Sequence, residues 1–203
     1  MPTSRSGSTS PLSAHRAVVL VIDVQERLCA AMPPAVADAV IRNTSTLVAT
    51  AARFDLPVIV SQQYPRGLGP TVAALEDVLA TLPTPARRLD KLEFSVGREP
   101  AFSTWATELA RAGRDQWLVT GMETHVCVLQ SVRDLLAAQP GGRPAEVGLV
   151  VDAACSRSKG NWRVGLGLAE RAGASLSSTE TALFELLGRA GTDDFKALSK
   201  LIR

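Results

Sequence analysis

The stretch AVVLVID, residues 17–23, decides the fold. It is an unbroken apolar run rich in Val and Ile that ends on a carboxylate. A strand with one wet face would alternate; a run without alternation reads as a strand covered on both faces, as in a parallel sheet. Working outward, LPVIVS (56–61), QWLVTG (116–121) and EVGLVVD (146–152) repeat that pattern, and RLDKLEFSV (88–96) and ASLSS (174–178) supply two shorter strands. Between them lie helical stretches: Pro34 to about Arg53, a short one carrying Leu75, Val78 and Leu79, then 100–111, Thr124 to Ala138, 161–172, and Thr179 to Leu187, with a last turn after Thr192. In the fourth, Val126, Leu129, Val132, Leu135 and Leu136 fall on one helical face. Strands alternating with helices predict an α/β fold of three α/β/α layers around a six-stranded parallel sheet.

The chain has 203 residues, enough for one such domain, placed at 16–203. Residues 1–15, Ser-rich with one Arg and no acid, read as a disordered tail, although a transit peptide can share that composition. The formal net charge is +2 with no Lys/Arg run, and aromatics are 4%, so neither nucleic acid nor an anionic membrane is an expected partner. No apolar run approaches the roughly 20 residues that span a bilayer. Cys29, Cys127 and Cys155 are widely spaced and odd in number, which points to a reduced, cytoplasmic protein.

Open parallel sheets bind ligands where their strands end. No GxGxxG, GxxxxGK[ST] or GxSxG follows a strand here; Asp23 is followed by VQERLC. With His15 in the tail, His125 is the one histidine left, so no His-based metal centre and no cofactor are expected. What remains is a thiol. Cys127 falls in the first turn of a helix after a strand, where free N–H groups and the helix dipole favour a thiolate and could also hold an oxyanion. A small buried hydrophobe is the plainer role for the same residue. His125, two positions earlier, points to another side of a helix, so the base is expected to be a carboxylate. Asp23 and Asp152 both end strands and both remain candidates, each also able to serve as a helix cap. Lys91 could lower the thiol pKa, or be a solvated surface lysine.

These stretches together resemble the isochorismatase-like hydrolases, a cysteine-hydrolase superfamily that includes nicotinamidases, and most of all the isochorismatase domain-containing proteins. The resemblance is carried by VLVIDVQERL (19–28), SQQYPRGLGPTV (61–72), KLEFSV (91–96), GMETHVCVLQSVRDLL (121–136), VVDAACSRS (150–158) and STETALFELL (178–187), in family order. It implies a doubly wound sheet of order 3-2-1-4-5-6 and an Asp-Lys-Cys triad of Asp23, Lys91 and Cys127, choosing Asp23 over Asp152. It further implies a cis peptide at Met122–Glu123 and an oxyanion hole from the backbone N–H groups of Glu123 and Cys127. Gln63, Tyr64, Phe94 and His125 would line the substrate pocket. Nicotinamidases place an Asp-x-His metal site after the second strand; this chain reads SQQYPRG there, so neither a metal nor that activity is expected. True isochorismatases lack the cysteine, so Cys127 argues against that reaction too. The resemblance therefore implies a metal-independent cysteine hydrolase of a small amide, imide or related C–N bond, acting as a homo-oligomer on a small-molecule substrate. A thiol redox or sensing protein using Cys127, or a non-catalytic binding protein, are the alternatives.

Overall fold

A computed structural model describes residues 10–142 and 144–202. In chain order the elements are β1 (Ala17–Ile22), α1 (Glu26–Ala30), α2 (Pro34–Phe54), β2 (Val58–Gln63), α3 (Pro65–Leu68), α4 (Ala73–Leu79), β3 (Arg87–Lys91) and α5 (Pro100–Arg111). There follow β4 (Gln116–Met122), α6 (Leu129–Ala138), β5 (Glu146–Cys155), α7 (Lys159–Ala172), β6 (Ser175–Ser177), α8 (Thr179–Leu187) and α9 (Asp193–Leu198). The six strands form one sheet of order β3-β2-β1-β4-β5-β6, every pairing parallel, as the sequence and its resemblance led us to expect.

The non-alternating strands are explained by the two layers that cover them. Val19 and Val21 of β1 pack with Val40, Leu47 and Val48 of α2, Leu75 and Leu79 of α4, and Ala182 of α8. Val18, Leu20 and Ile22 face the other way, against Phe102 and Leu109 of α5, Val132 and Leu135 of α6, and Leu166 of α7. Every residue of β1 is buried, and each fully buried aliphatic side chain contributes on the order of 1.5–3 kcal/mol. Chain order reverses between β1 and β4, which lie side by side, so a cleft opens at their carboxyl ends. There the backbones come very close. Gly121 pairs with Ile22, and a Cβ on Gly121 would stand 1.9 Å from the Ile22 carbonyl oxygen, so only glycine fits.

Three expectations need correction. Of the expected tail, residues 1–9 lie outside the described residues, but 10–15 are fastened to the body: Ser10 Oγ donates to Glu146, and the N–H groups of Leu12 and Ser13 donate to Glu185 and Gln116. The helix expected from Thr124 opens instead as a π turn, Thr124–Val128, before α6. Lastly, β5 does not end at Asp152. It runs on to Cys155 through a register shift opposite Val119–Gly121, which turns Asp152 outward, where its carboxylate accepts from the N–H and Oγ of Thr179 at 2.8 and 3.0 Å. Asp152 therefore caps the start of α8 and stands apart from the cleft.

Candidate active site

Asp23 follows β1 directly, in the left-handed region at φ 53°, a conformation that Asp tolerates better than most residues. Its carboxylate accepts Ser61 Oγ on Oδ1 at 2.7 Å and Lys91 Nζ on Oδ2 at 2.7 Å. Lys91 ends β3, two strands away, and its ammonium also donates to Gln63 Oε1 at 2.7 Å and to the Phe94 carbonyl at 3.1 Å. Both charged side chains of this pair are 0% exposed. Lys91 is thus no surface lysine: the sheet carries it into the interior, where the Asp23 carboxylate and two further acceptors hold it. Burying an ion pair is tolerable only with such complete pairing.

Cys127 sits in the π turn after β4, 5% exposed. Its Sγ is 3.8 Å from Gln63 Oε1, the same oxygen that receives Lys91. The charges of Asp23 and Lys91 both act on the thiol, which shares Gln63 Oε1 with Lys91. Burial pushes the thiol up to about 12, and the Asp23 charge adds to the rise; Lys91 opposes both and is outweighed. This overturns the expectation of a helix-stabilised thiolate. Burial therefore favours the neutral thiol over the thiolate at rest.

The structure therefore brings Asp23, Lys91, Cys127 and Gln63 together. Gln63 is more than a wall: its Nε2 donates to the Leu92 carbonyl, its N–H donates to Gln25 Oε1, and its Oε1 faces both Lys91 and Cys127. Tyr64 and Phe94 are 51% and 52% exposed, and their backbones flank Lys91: the Tyr64 N–H donates to the Lys91 carbonyl and the Phe94 carbonyl accepts from Lys91 Nζ. His125 is half-buried and its Nδ1 lies 3.0 Å from Ser156 Oγ, turned toward the end of β5. The Met122–Glu123 peptide is cis, and Glu123 and Cys127 bracket the start of the π turn. Cys155 packs with Cys29 and Met122 in the layer opposite that of Cys127, so it is a packed thiol away from the cleft.

Sequence reasoning missed three supports. Ser61 orients Asp23, and the fully buried Gln25 ties Gln63 to Gly69 through its side-chain amide. Arg157 grips Glu123. Gln25 and Ser61 lie within the quoted stretches, but nothing in their spacing marked them, because each bonds to a residue 38 positions away. Among the described residues no group of three or more His, Cys, Asp or Glu is placed to hold a metal ion. Nor is any described helix long and apolar enough to cross a membrane.

The isochorismatase domain model matches residues 17–181. A Phytophthora sojae protein named secreted isochorismatase effector Isc1 is 35% identical over 204 residues, covering 99% of this chain and 90% of its own. Human isochorismatase domain-containing protein 2 is 33% identical over 165 residues, 81% of this chain and 73% of its own. Among solved structures, that of MAR1 ribonuclease from Caenorhabditis elegans aligns with a TM-score of 0.82 at 30% identity, over 95% of this chain and 92% of that one.

Proposed function

The chain belongs to the isochorismatase domain family, and from that premise we propose that it is a metal-independent cysteine hydrolase of a small amide, imide or related C–N bond. The observation that carries this reading is the fully buried Asp23–Lys91 pair joined to the Cys127 thiol through Gln63 Oε1 at the strand ends. Asp23 still has lone pairs free after accepting from Ser61 and Lys91, so it can take the thiol proton. Because the thiol is neutral at rest, that proton leaves as sulfur attacks the carbonyl carbon. Lys91 stays protonated and balances the charge as it moves from carboxylate to sulfur. The N–H groups of Glu123 and Cys127 hold the oxyanion. Protonated Asp23 gives its proton to the departing amine, leaving a thioester on Cys127. Asp23 then deprotonates a water that attacks the thioester, releasing the acid and the thiol.

The raised pKa and near-complete burial of Cys127 weigh against redox sensing, which relies on an exposed thiolate. Tyr64, Leu92 and Phe94 are exposed large apolar residues close in sequence to Gln63 and Lys91, which supports a small uncharged substrate and a neighbouring subunit covering them in a homo-oligomer. Acetamide, benzamide and succinimide, together with an RNA oligonucleotide, form a panel to be tried on wild type, Cys127→Ala and Asp23→Asn. The expected result is amide or imide turnover lost in both variants, with an acyl adduct on Cys127 in the mass spectrum. Turnover indifferent to Cys127→Ala, on RNA or on any amide, sinks the mechanism. Reversible oxidation of Cys127 without turnover would favour the redox reading.

A further inference from the structure

The loop leaving β5 turns two side chains toward the start of the π turn. Glu123 is buried, and both its oxygens are engaged: Oε2 accepts the Arg157 backbone N–H and Oε1 accepts Arg157 Nε, each at 3.0 Å. Two residues on, His125 Nδ1 meets the buried Ser156 Oγ at 3.0 Å. From behind, α7 packs so tightly that a Cβ on Gly165 would stand 2.8 Å from both His125 N and Thr124 C. The backbone from 123 to 125 is therefore gripped by β5's exit loop and by α7, although none of these groups bonds to the thiol, Asp23 or Lys91.

Stabilisation explains this grip only in part. The Arg157 side chain is 63% exposed, so its charge is screened by water, while the Glu123 carboxylate, 8% exposed, keeps the Arg157 backbone N–H even without the guanidinium. The grip is well explained as geometry. A carboxylate held at both oxygens cannot rotate, so the Glu123 side chain and the peptide N–H it carries keep one orientation. Oxyanion donors act over a few tenths of an ångström, and removing one costs about 10^2–10^3 in rate. We propose that Arg157, acting through the Glu123 carboxylate, and Ser156, acting through His125, are positioning residues that aim the oxyanion donors beside Cys127. The inference rests on the thioester chemistry proposed above.

Two reactions of the same thiol separate positioning from structural support. Acylation by p-nitrophenyl acetate builds an oxyanion; alkylation by iodoacetamide at carbon does not. Arg157→Ala is expected to slow acylation and deacylation roughly 10-fold, and Glu123→Ala roughly 100-fold, through kcat with KM little changed. Alkylation should stay within about twofold of wild type in both, since it samples only the thiol and Asp23. Ser156→Ala should fall in the same direction as Arg157→Ala. Adding Arg157→Ala to Glu123→Ala should cost nothing more, because the partner is already gone. If Glu123→Ala does not fold, Glu123→Gln keeps the volume and an acceptor for the Arg157 N–H, and the same cycle is run on it. Losses that multiply in the double variant, or that appear equally in alkylation, overturn the positioning role. Wild-type acylation lost in Cys127→Ala but untouched by Arg157→Ala overturns it alone, leaving the thioester chemistry standing. Acylation untouched by Cys127→Ala overturns both.

Discussion

The two ends of β1 carry the same chemistry in opposite solvents. At the amino end, Arg16 bridges Asp115 at 2.7 Å and Glu146 at 2.8 Å, with side chains 33%, 14% and 33% exposed. At the carboxyl end, Asp23 meets Lys91 at 2.7 Å with both side chains 0% exposed. Partial burial by itself would raise Glu146, but hydrogen bonds from Gln116, Arg16 and Ser10 outweigh it and keep the carboxylate below its ordinary range. Water shares the load there, and the cluster serves to fasten residues 10–16 under the sheet. At the other end no water shares it. The charges there are held by each other and by hydrogen bonds with Ser61, Gln63 and Phe94, and burial raises the pKa of the Cys127 thiol beside them. What separates the fastening from the candidate site in this molecule is desolvation, since the ionic groups themselves are alike.

The sharpest way to break the comparison is at the thiol. Cys127→Ala should lower turnover of any accepted amide on the order of 10^4-fold, while Arg16→Met leaves turnover within about twofold. Steady-state kinetics with both variants decides whether only the dry end is catalytic. Next, Lys91→Met strands a buried carboxylate and should cost about 3–5 kcal/mol in urea unfolding, much of it recovered in the Asp23→Asn/Lys91→Met double variant. Recovery would show that the cost lay in the unpaired charge rather than in lost packing.

Alkali gives a third test. The Cys127 pKa is raised in the folded chain, from an ordinary value near 9 to about 12. Its contribution is therefore intact below about pH 9 and is lost as pH rises toward 12, because the unfolded chain releases a proton the folded chain retains. Wild type should lose roughly 1.4 kcal/mol per pH unit more than Cys127→Ala across that window. Equal slopes would mean that the thiol is wetter than the structure has it. The smallest effect belongs to the wet end: Arg16→Met should cost less than about 1 kcal/mol, with any loss diminishing in high salt. A loss as large as that of Lys91→Met would erase the distinction between the two ends.

Much of the architecture was legible in the chain because its signals are local. Unbroken apolar runs such as AVVLVID report burial on two faces, and intervening periodic stretches report the covering helices, so sheet, layers and strand count follow from neighbours in sequence. The candidate site was legible in part. A cysteine opening the helix after the fourth strand, a carboxylate ending the first, and Lys91 as a possible partner could be listed from the residues, and resemblance to a family chose the triad role for Lys91 and ranked Asp23 above Asp152. Where local reading failed, the deciding contact was remote. Asp152 looked like Asp23 until β5 ran three residues further and handed its carboxylate to Thr179. Lys91 sits in a polar stretch that reads as exposed, and only the pairing of β3 with β2 beside β1 carries it inside.

Chain order and apolar pattern thus settle which residues form strands and which helices, since those preferences act within a few residues of each position. The protonation of Cys127, the full desolvation of Asp23 and Lys91, and the grip of Arg157 on Glu123 belong to tertiary structure alone. Each depends on how much water is excluded by segments that are far apart in the chain. That quantity exists only once the sheet has closed under its two layers of helices.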